Sequence, residues 1–271
     1  MLMLVAVSLL AAVAGGLLRA GVEWSGLPDS IMFGQAAVAH SALMLSGFLG
    51  TLIAIERALA IKRRWAFIAP FASGIASLFM LAGYTGVATG LGVLAALVFV
   101  GVNVVVVMRQ PAAHTTLLLV GAAAWLVGNL MFATGQSGAA TVPWWFAFLL
   151  LTIAAERLEM TRLMRRHPAA RPSLHVILFA LLVGAALSAP APRLGGVIYG
   201  VALGALASGS ACSTLPAARR WRTGSAATWR CAFSAATRGS AWPVWRGCAW
   251  RPVCRHVTWH CMPSGSVSSS A

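Results

Sequence analysis

Carboxylates are nearly missing from this chain: Asp and Glu together number 5 in 271 residues, against 20 Lys and Arg. So few acids leave no clustered pair for acid–base hydrolysis and no acidic cage for a divalent metal. No Gly-rich phosphate loop and no Ser/His/Asp order occurs, which argues against a hydrolase or a nucleotide enzyme. Cysteine is absent before Cys212. The long N-terminal part therefore offers no disulfide or thiolate chemistry, and nothing in it fixes a redox compartment. Charged residues make up only 9% of the chain, while hydrophobic residues make up 59%.

What the chain does have is apolar length. Its mean hydropathy is +0.83, and a soluble domain of this size cannot hide that much apolar surface. Eight segments are expected to span a membrane: Met1–Leu18, Ile31–Ile61, Phe67–Val87, Gly90–Met108, Thr115–Thr134, Val142–Met160, Leu174–Ala189 and Gly195–Ala207. They should be helices, since short apolar runs without two-residue alternation do not close into a barrel. The N-terminus, MLMLVAVSLLAAVAGGLL, lacks the basic region that opens a signal peptide and reads as the first span. The fold class expected is all-α, a polytopic membrane helix bundle.

The formal charge of +15 comes from cations between these spans. Arg57, Lys62, Arg63 and Arg64 close the second span, and Arg109 closes the fourth. Arg157, Arg162, Arg165, Arg166 and Arg171 follow the sixth. All fall on one side if the N-terminus is cytoplasmic, the positive-inside pattern. Arg19 and Arg193 are exceptions, and Glu23 and Asp29 lie on the outer side. Clusters of this kind point to the lipid bilayer as partner rather than to nucleic acid.

An internal repeat is visible. Phe48, Ile53, Ala54, Glu56 and Arg57 recur, one hundred residues on, as Phe148, Ile153, Ala154, Glu156 and Arg157. Basic pairs follow both copies, Arg63-Arg64 and Arg165-Arg166. Four spans separate the copies, so they share one orientation, as in parallel membrane repeats. The chain is thus expected to divide into a first four-span repeat (1–110), a second (111–208) and a tail (209–271).

The tail has another character. From Ser210 onward there is no Asp, Glu, Lys, Asn, Gln, Tyr or Ile. All five cysteines fall there (Cys212, Cys231, Cys248, Cys254 and Cys261), together with six tryptophans and eight arginines. Neither helix nor strand period appears. Such a mixture is what a GC-rich gene yields out of frame. The run Val257–Pro263 fixes most of its codons, GTN ACN TGG CAY TGY ATG CCN. Read from the third base, these give an apolar segment ending Ala-Leu-[His/Tyr]-Ala. The alternative is a genuine arginine-rich tail, disordered or lying on anionic lipid. Cys254, His256, His260 and Cys261 lack the Cys-x-x-Cys half of a zinc site.

Few groups are left to carry chemistry. At a 3.6-residue period His40, Met44, Gly47 and Thr51 form one stripe, which should face the bundle interior because a histidine in lipid is costly. Within a dry bundle His40 is either a ligand for haem iron or copper, or a histidine hydrogen-bonded to a neighbouring carbonyl. Glu56, Arg57, Glu156 and Arg157 read as structural ion pairs at the cytoplasmic rim, each pairing with another helix or one turn away. Asn103 and Asn129 read as helix-to-helix hydrogen bonds, or as the walls of a midplane transport pocket. Trp144 and Trp145 read as an interfacial belt. His114, His167 and His175 sit near span ends, within reach of water.

The stretch AHSALMLSGFLGTLIAIERALAI resembles bacterial polytopic membrane proteins of the NnrS group and, more remotely, subunit I of the haem-copper oxidases. The second span of those oxidases carries His, a small residue, two variable positions and Met, here His40, Ser41, Ala42, Leu43 and Met44. The resemblance implies twelve helices in three arcs of four in intact homologues, with the third arc falling in the tail. It implies a bacterial inner-membrane protein that binds haem or copper through His40, with Met44 beside it, and that serves nitric-oxide or respiratory stress rather than catalysis. Span six has no His-Pro-Glu-Val-Tyr-like copper motif and span seven no paired histidines, so oxidase activity is not expected. The other function classes left open are a transporter or permease and an accessory membrane protein with no cofactor.

Resequencing across codons 205–215 is expected to show a gained or lost base, and an intact frame there removes the out-of-frame reading.

Overall fold

A computed structural model describes residues 1–22, 31–160 and 170–208. Glu23, Asp29, Arg162, Arg165, Arg166, His167 and the tail with its cysteines lie outside the described residues. So do the zinc candidates and the segment expected to be out of frame.

The described chain is helical, with no strand among the described residues. In order, the elements are α1 (Leu2–Arg19), α2 (Ile31–Val38), a π-helical segment (Ala42–Gly50) and α3 (Thr51–Ile61). A 3₁₀ turn (Arg64–Phe67) leads into α4 (Ile68–Leu81), followed by α5 (Thr85–Arg109), α6 (Ala113–Ala133), α7 (Gly138–Met160) and α8 (Ala170–Leu187). A further helix, α9, covers 192–208. Each of the eight expected apolar segments is therefore a helix or a helical succession. Six are long and apolar enough to cross a membrane: Leu2–Arg19, Ala42–Ile61, Arg64–Leu81, Thr85–Arg109, Ala113–Ala133 and Gly138–Met160. The apolar part of α8, Pro172–Leu187, and α9 are shorter. They belong to the main core nonetheless, because Leu178, Leu181 and Ala202 are buried in it.

One boundary differs from expectation. The third and fourth spans were expected to meet at residues 88–89, but α4 ends at Leu81 and α5 begins at Thr85. Gly83 takes a positive φ of 85° and stops the helix there. No charge or proline marks this turn, so hydropathy runs straight through it. Gly135 (φ 75°) does the same between α6 and α7.

Burial is inverted relative to a water-soluble bundle. The buried set is rich in alanine: Ala12, Ala58, Ala95, Ala96, Ala122 and Ala147 are each fully enclosed. Large apolar side chains such as Leu10, Leu52, Phe79, Leu97, Phe146 and Ile153 point outward. In water that arrangement would waste the hydrophobic effect. In lipid the tails are as apolar as leucine, and helices associate instead by close backbone contact through small residues.

Gly15 shows how close the backbones come. A Cβ built there would lie 2.1 Å from the carbonyl oxygen of Ala36 on α2, whereas one at Gly34 would meet nothing within 4 Å. Gly15→Ala is expected to lower stability in detergent by about 2 kcal/mol, the scale of overpacking, while Gly34→Ala leaves it unchanged. Equal unfolding midpoints for the two variants would show that the α1–α2 contact is not what the geometry indicates.

Candidate functional site

The second apolar segment does not run as one α-helix. Between α2 and α3, Ala42–Gly50 winds as a π-helix. Such wide turns are uncommon and collect at functional sites. Here two hydroxyls bond to the carbonyls of this stretch. Ser73 of α4 donates to the Ser46 carbonyl at 3.1 Å. Thr51 reaches the Gly47 carbonyl and lies 3.0 Å from the Ser73 hydroxyl. Gly47 makes room for α4, since a Cβ there would sit 2.5 Å from the Ser77 hydroxyl.

Next to this segment lies a polar knot. Asn129 of α6 is 4% exposed. Its Oδ1 accepts from the Ser46 hydroxyl at 3.2 Å and from the Trp145 indole N–H at 3.1 Å. Because an indole only donates, the amide orientation is fixed. The Asn129 amide nitrogen donates to the Gly92 carbonyl of α5 at 3.1 Å. Trp125 donates to the Ser46 hydroxyl at 3.1 Å. Four stretches of chain are thus joined through one side chain. Beside the knot Trp125 stacks on Phe148 (5.3 Å between ring centroids, 16° between planes), and Phe99 meets both rings edge-on.

A cavity of about 30 Å³ opens between these groups. Its polar lining is Ser46, Ser73, Ser77, Thr89, Gly92 and Asn129. That is room for about two water molecules, not for a porphyrin. Asn129 and Gly92 are near the α6 and α5 ends that face the Gly83 and Gly135 turns. The basic residues Lys62, Arg64 and Arg109 gather at the opposite end. Ser46 is eleven residues from Arg57, about 16 Å along a helix.

His40 is not in this cavity. Its ring is half-buried against α1, where Nδ1 donates to the Ala12 carbonyl at 2.7 Å. Gly16 leaves space for it, since a Cβ there would approach the ring to 2.8 Å. Met44 packs with Ala12, Ala36, Ala39, Leu43 and Met80. The expected stripe of His40, Met44, Gly47 and Thr51 does not hold. His40 meets α1, whereas Gly47 and Thr51 meet α4. A π-helix bonds i to i+5, so the 3.6-residue period no longer predicts a face across it. Among the described residues no group of three or more His, Cys, Asp or Glu could hold a metal ion.

At the basic end Arg57 bonds Glu156 across the bundle at 3.0 Å and lies 3.6 Å from Glu56. The Arg57 side chain is 12% exposed, Glu156 40% and Glu56 60%. The two Glu-Arg copies therefore meet through one pair, as expected of a rim ion pair. Arg157 lies in the last turn of α7. Asn103 differs from expectation: it is wholly buried, donates to the Phe99 carbonyl of its own helix at 2.8 Å, and leaves Oδ1 without a partner among the described residues. Trp145 differs too, being 1% exposed and part of the knot rather than an interfacial belt. His114 is buried at 6% exposure instead of reaching water.

Hydropathy missed Ser46, Ser73 and Ser77, because single serines barely dent an apolar window. The i, i+4 spacing of Ser73 and Ser77 was the available signal, as it puts both hydroxyls on one face.

A family model described as Domain of unknown function (DUF8744) matches residues 1–260. The match runs across residues 209–260 as well, and lends the out-of-frame reading no support. No curated protein and no solved structure matches the chain.

Asn129→Leu strands the Trp145 and Ser46 donors and is expected to cost about 3 kcal/mol in detergent unfolding. Asn103→Leu removes an amide whose oxygen is already unmatched and is expected to change stability by under about 1 kcal/mol. The reverse order would mean that Asn129 does not hold the core.

Proposed function

The chain belongs to the DUF8744 family, and we propose that it is an integral, multi-pass membrane protein of the transporter or permease class. Its N-terminus and basic end lie in the cytoplasm, and it handles a small polar solute at the serine-lined cavity. The observation that carries this is the convergence of Ser46, Ser73, Ser77 and Asn129 on one cavity at a π-helical break. Irregular backbone at membrane depth is tolerated where it lines a cavity, and solute sites of transporters are built at such breaks. A segment with i→i+5 bonds is also the part of the bundle best able to repack. The hundred-residue repeat fits this class, with the Arg57–Glu156 pair tying the two copies together at the cytoplasmic rim. The bacterial inner membrane is the location that the NnrS resemblance favours.

A second reading has one observation of its own. With Nδ1–H given to the Ala12 carbonyl, neutral His40 presents the lone pair of Nε2, the tautomer of a metal-bound imidazole. On this reading His40, with Met44 nearby, binds haem or copper and serves nitric-oxide or respiratory stress.

In proteoliposomes the protein is expected to raise the flux of small polar solutes or monovalent cations above that of empty vesicles. Ser77→Leu, which fills the cavity, should abolish the increase. Flux equal to empty vesicles removes the transport reading. A Soret band that is lost in His40→Ala would put the haem reading in its place.

A further inference from the structure

The hydroxyl protons around the cavity are already committed. Ser46 donates to Asn129 Oδ1, Ser73 to the Ser46 carbonyl and Ser77 to the Ser73 carbonyl at 3.2 Å. Thr89 donates to the Gly86 carbonyl at 3.0 Å. Both indole N–H groups are spent as well, on Ser46 and on Asn129. A hydroxyl has one proton and two lone pairs. What these serines and the threonine can still offer an occupant is therefore lone pairs. The one uncommitted donor in the lining is the second N–H of Asn129. The wall is an acceptor surface.

Charge narrows the class further. The cavity lining contains no Lys, Arg or His, so nothing there offsets the repulsion between an anion and the oxygens. It contains no carboxylate either, and Glu56 and Glu156 belong to the opposite end. A divalent cation needs carboxylates to repay its dehydration. A monovalent cation does not, because neutral oxygens alone can replace its water shell, as carbonyl rings do in ion channels. The volume of about 30 Å³ admits such an ion with at most one water.

We infer that the cavity is a binding site for a partly dehydrated monovalent cation, held by the free lone pairs of the Ser46, Ser73 and Ser77 hydroxyl oxygens. This rests on taking the cavity as the functional centre and names the class of its solute. Water is the competing occupant, since it also donates to acceptors.

The test is thermal unfolding of the full chain in detergent, in NaCl, KCl or NH₄Cl against choline chloride at equal ionic strength. Selective binding to the folded state is expected to raise Tm by about 3–5 °C over choline for at least one of the three ions. The rise should be lost in Ser77→Ala and in Ser46→Ala and kept in Thr116→Ala, whose hydroxyl is exposed on α6. No rise over choline for any of the ions means the cavity holds water alone and overturns the inference. So does a rise that survives both serine substitutions. Should those variants fail to fold, ²³Na line broadening with the unaltered protein, competed by K⁺ or NH₄⁺, decides in the same two directions. Cation binding without flux in proteoliposomes would leave this site standing and remove the transport reading. Flux of neutral solutes with no cation dependence would do the opposite.

Discussion

A buried polar atom in an apolar interior must find a partner, and the centre of this bundle is arranged around that constraint. Asn129 meets it for three other stretches of chain. Its oxygen takes the Ser46 hydroxyl and the Trp145 indole, and its nitrogen serves the Gly92 carbonyl. With no water to fall back on, each of these groups would otherwise be stranded. The network therefore fixes the relative rotation of α5, α6, α7 and the π-helical segment in a way that alanine contacts alone would not. Alanine faces bring helices close. They discriminate poorly between one rotation and the next.

The same constraint accounts for the π-helical segment. Widening the turns between Ala42 and Gly50 turns α3 away from the register set by α2. One face then meets α1 through His40, and another meets α4 through Gly47 and Thr51. Ser73 and Thr51 donate hydroxyls to carbonyls of the widened stretch. Small residues at Gly47 and Ser77 let α4 approach closely enough for those bonds to form. The cavity is the space left where the widened turns do not fill the gap between α4, α5 and α6.

Much of the fold was legible in the sequence, because apolar length is a sum over many residues and survives local error. All eight segments are helical, including the two short ones near the end. The turn at Gly83 was not legible, since one glycine with positive φ leaves no mark in hydropathy. Among the site residues, Asn129 and the Arg57–Glu156 contact were marked by being polar or charged where almost everything else is apolar. The role of His40 was half legible. Its burial followed from its cost in lipid, but its partner, a backbone carbonyl, carries no sequence signature. Ser46, Ser73 and Ser77 stayed hidden because their meaning lies in how the π-helical segment and α4 bring them together. The register error in the His40 stripe had one cause, an α-helical period applied across a stretch that is not α-helical.

The two ends of the bundle are held by different chemistry, which bears on how it can move. At the basic end, Arg57 is 12% exposed and has Glu156 as its carboxylate across the bundle. Glu156 is 40% exposed and Glu56 stays 3.6 Å from Arg57, so water screens the pair and its separation costs about 1 kcal/mol. At the other end the contacts around Asn129 are neutral hydrogen bonds, each contributing about 1 kcal/mol net. They can be exchanged one at a time, and an occupant of the cavity can replace them with its own. Solvent access therefore separates the two ends: water can take over the rim pair, whereas the bonds around Asn129 give way only to an occupant of the cavity.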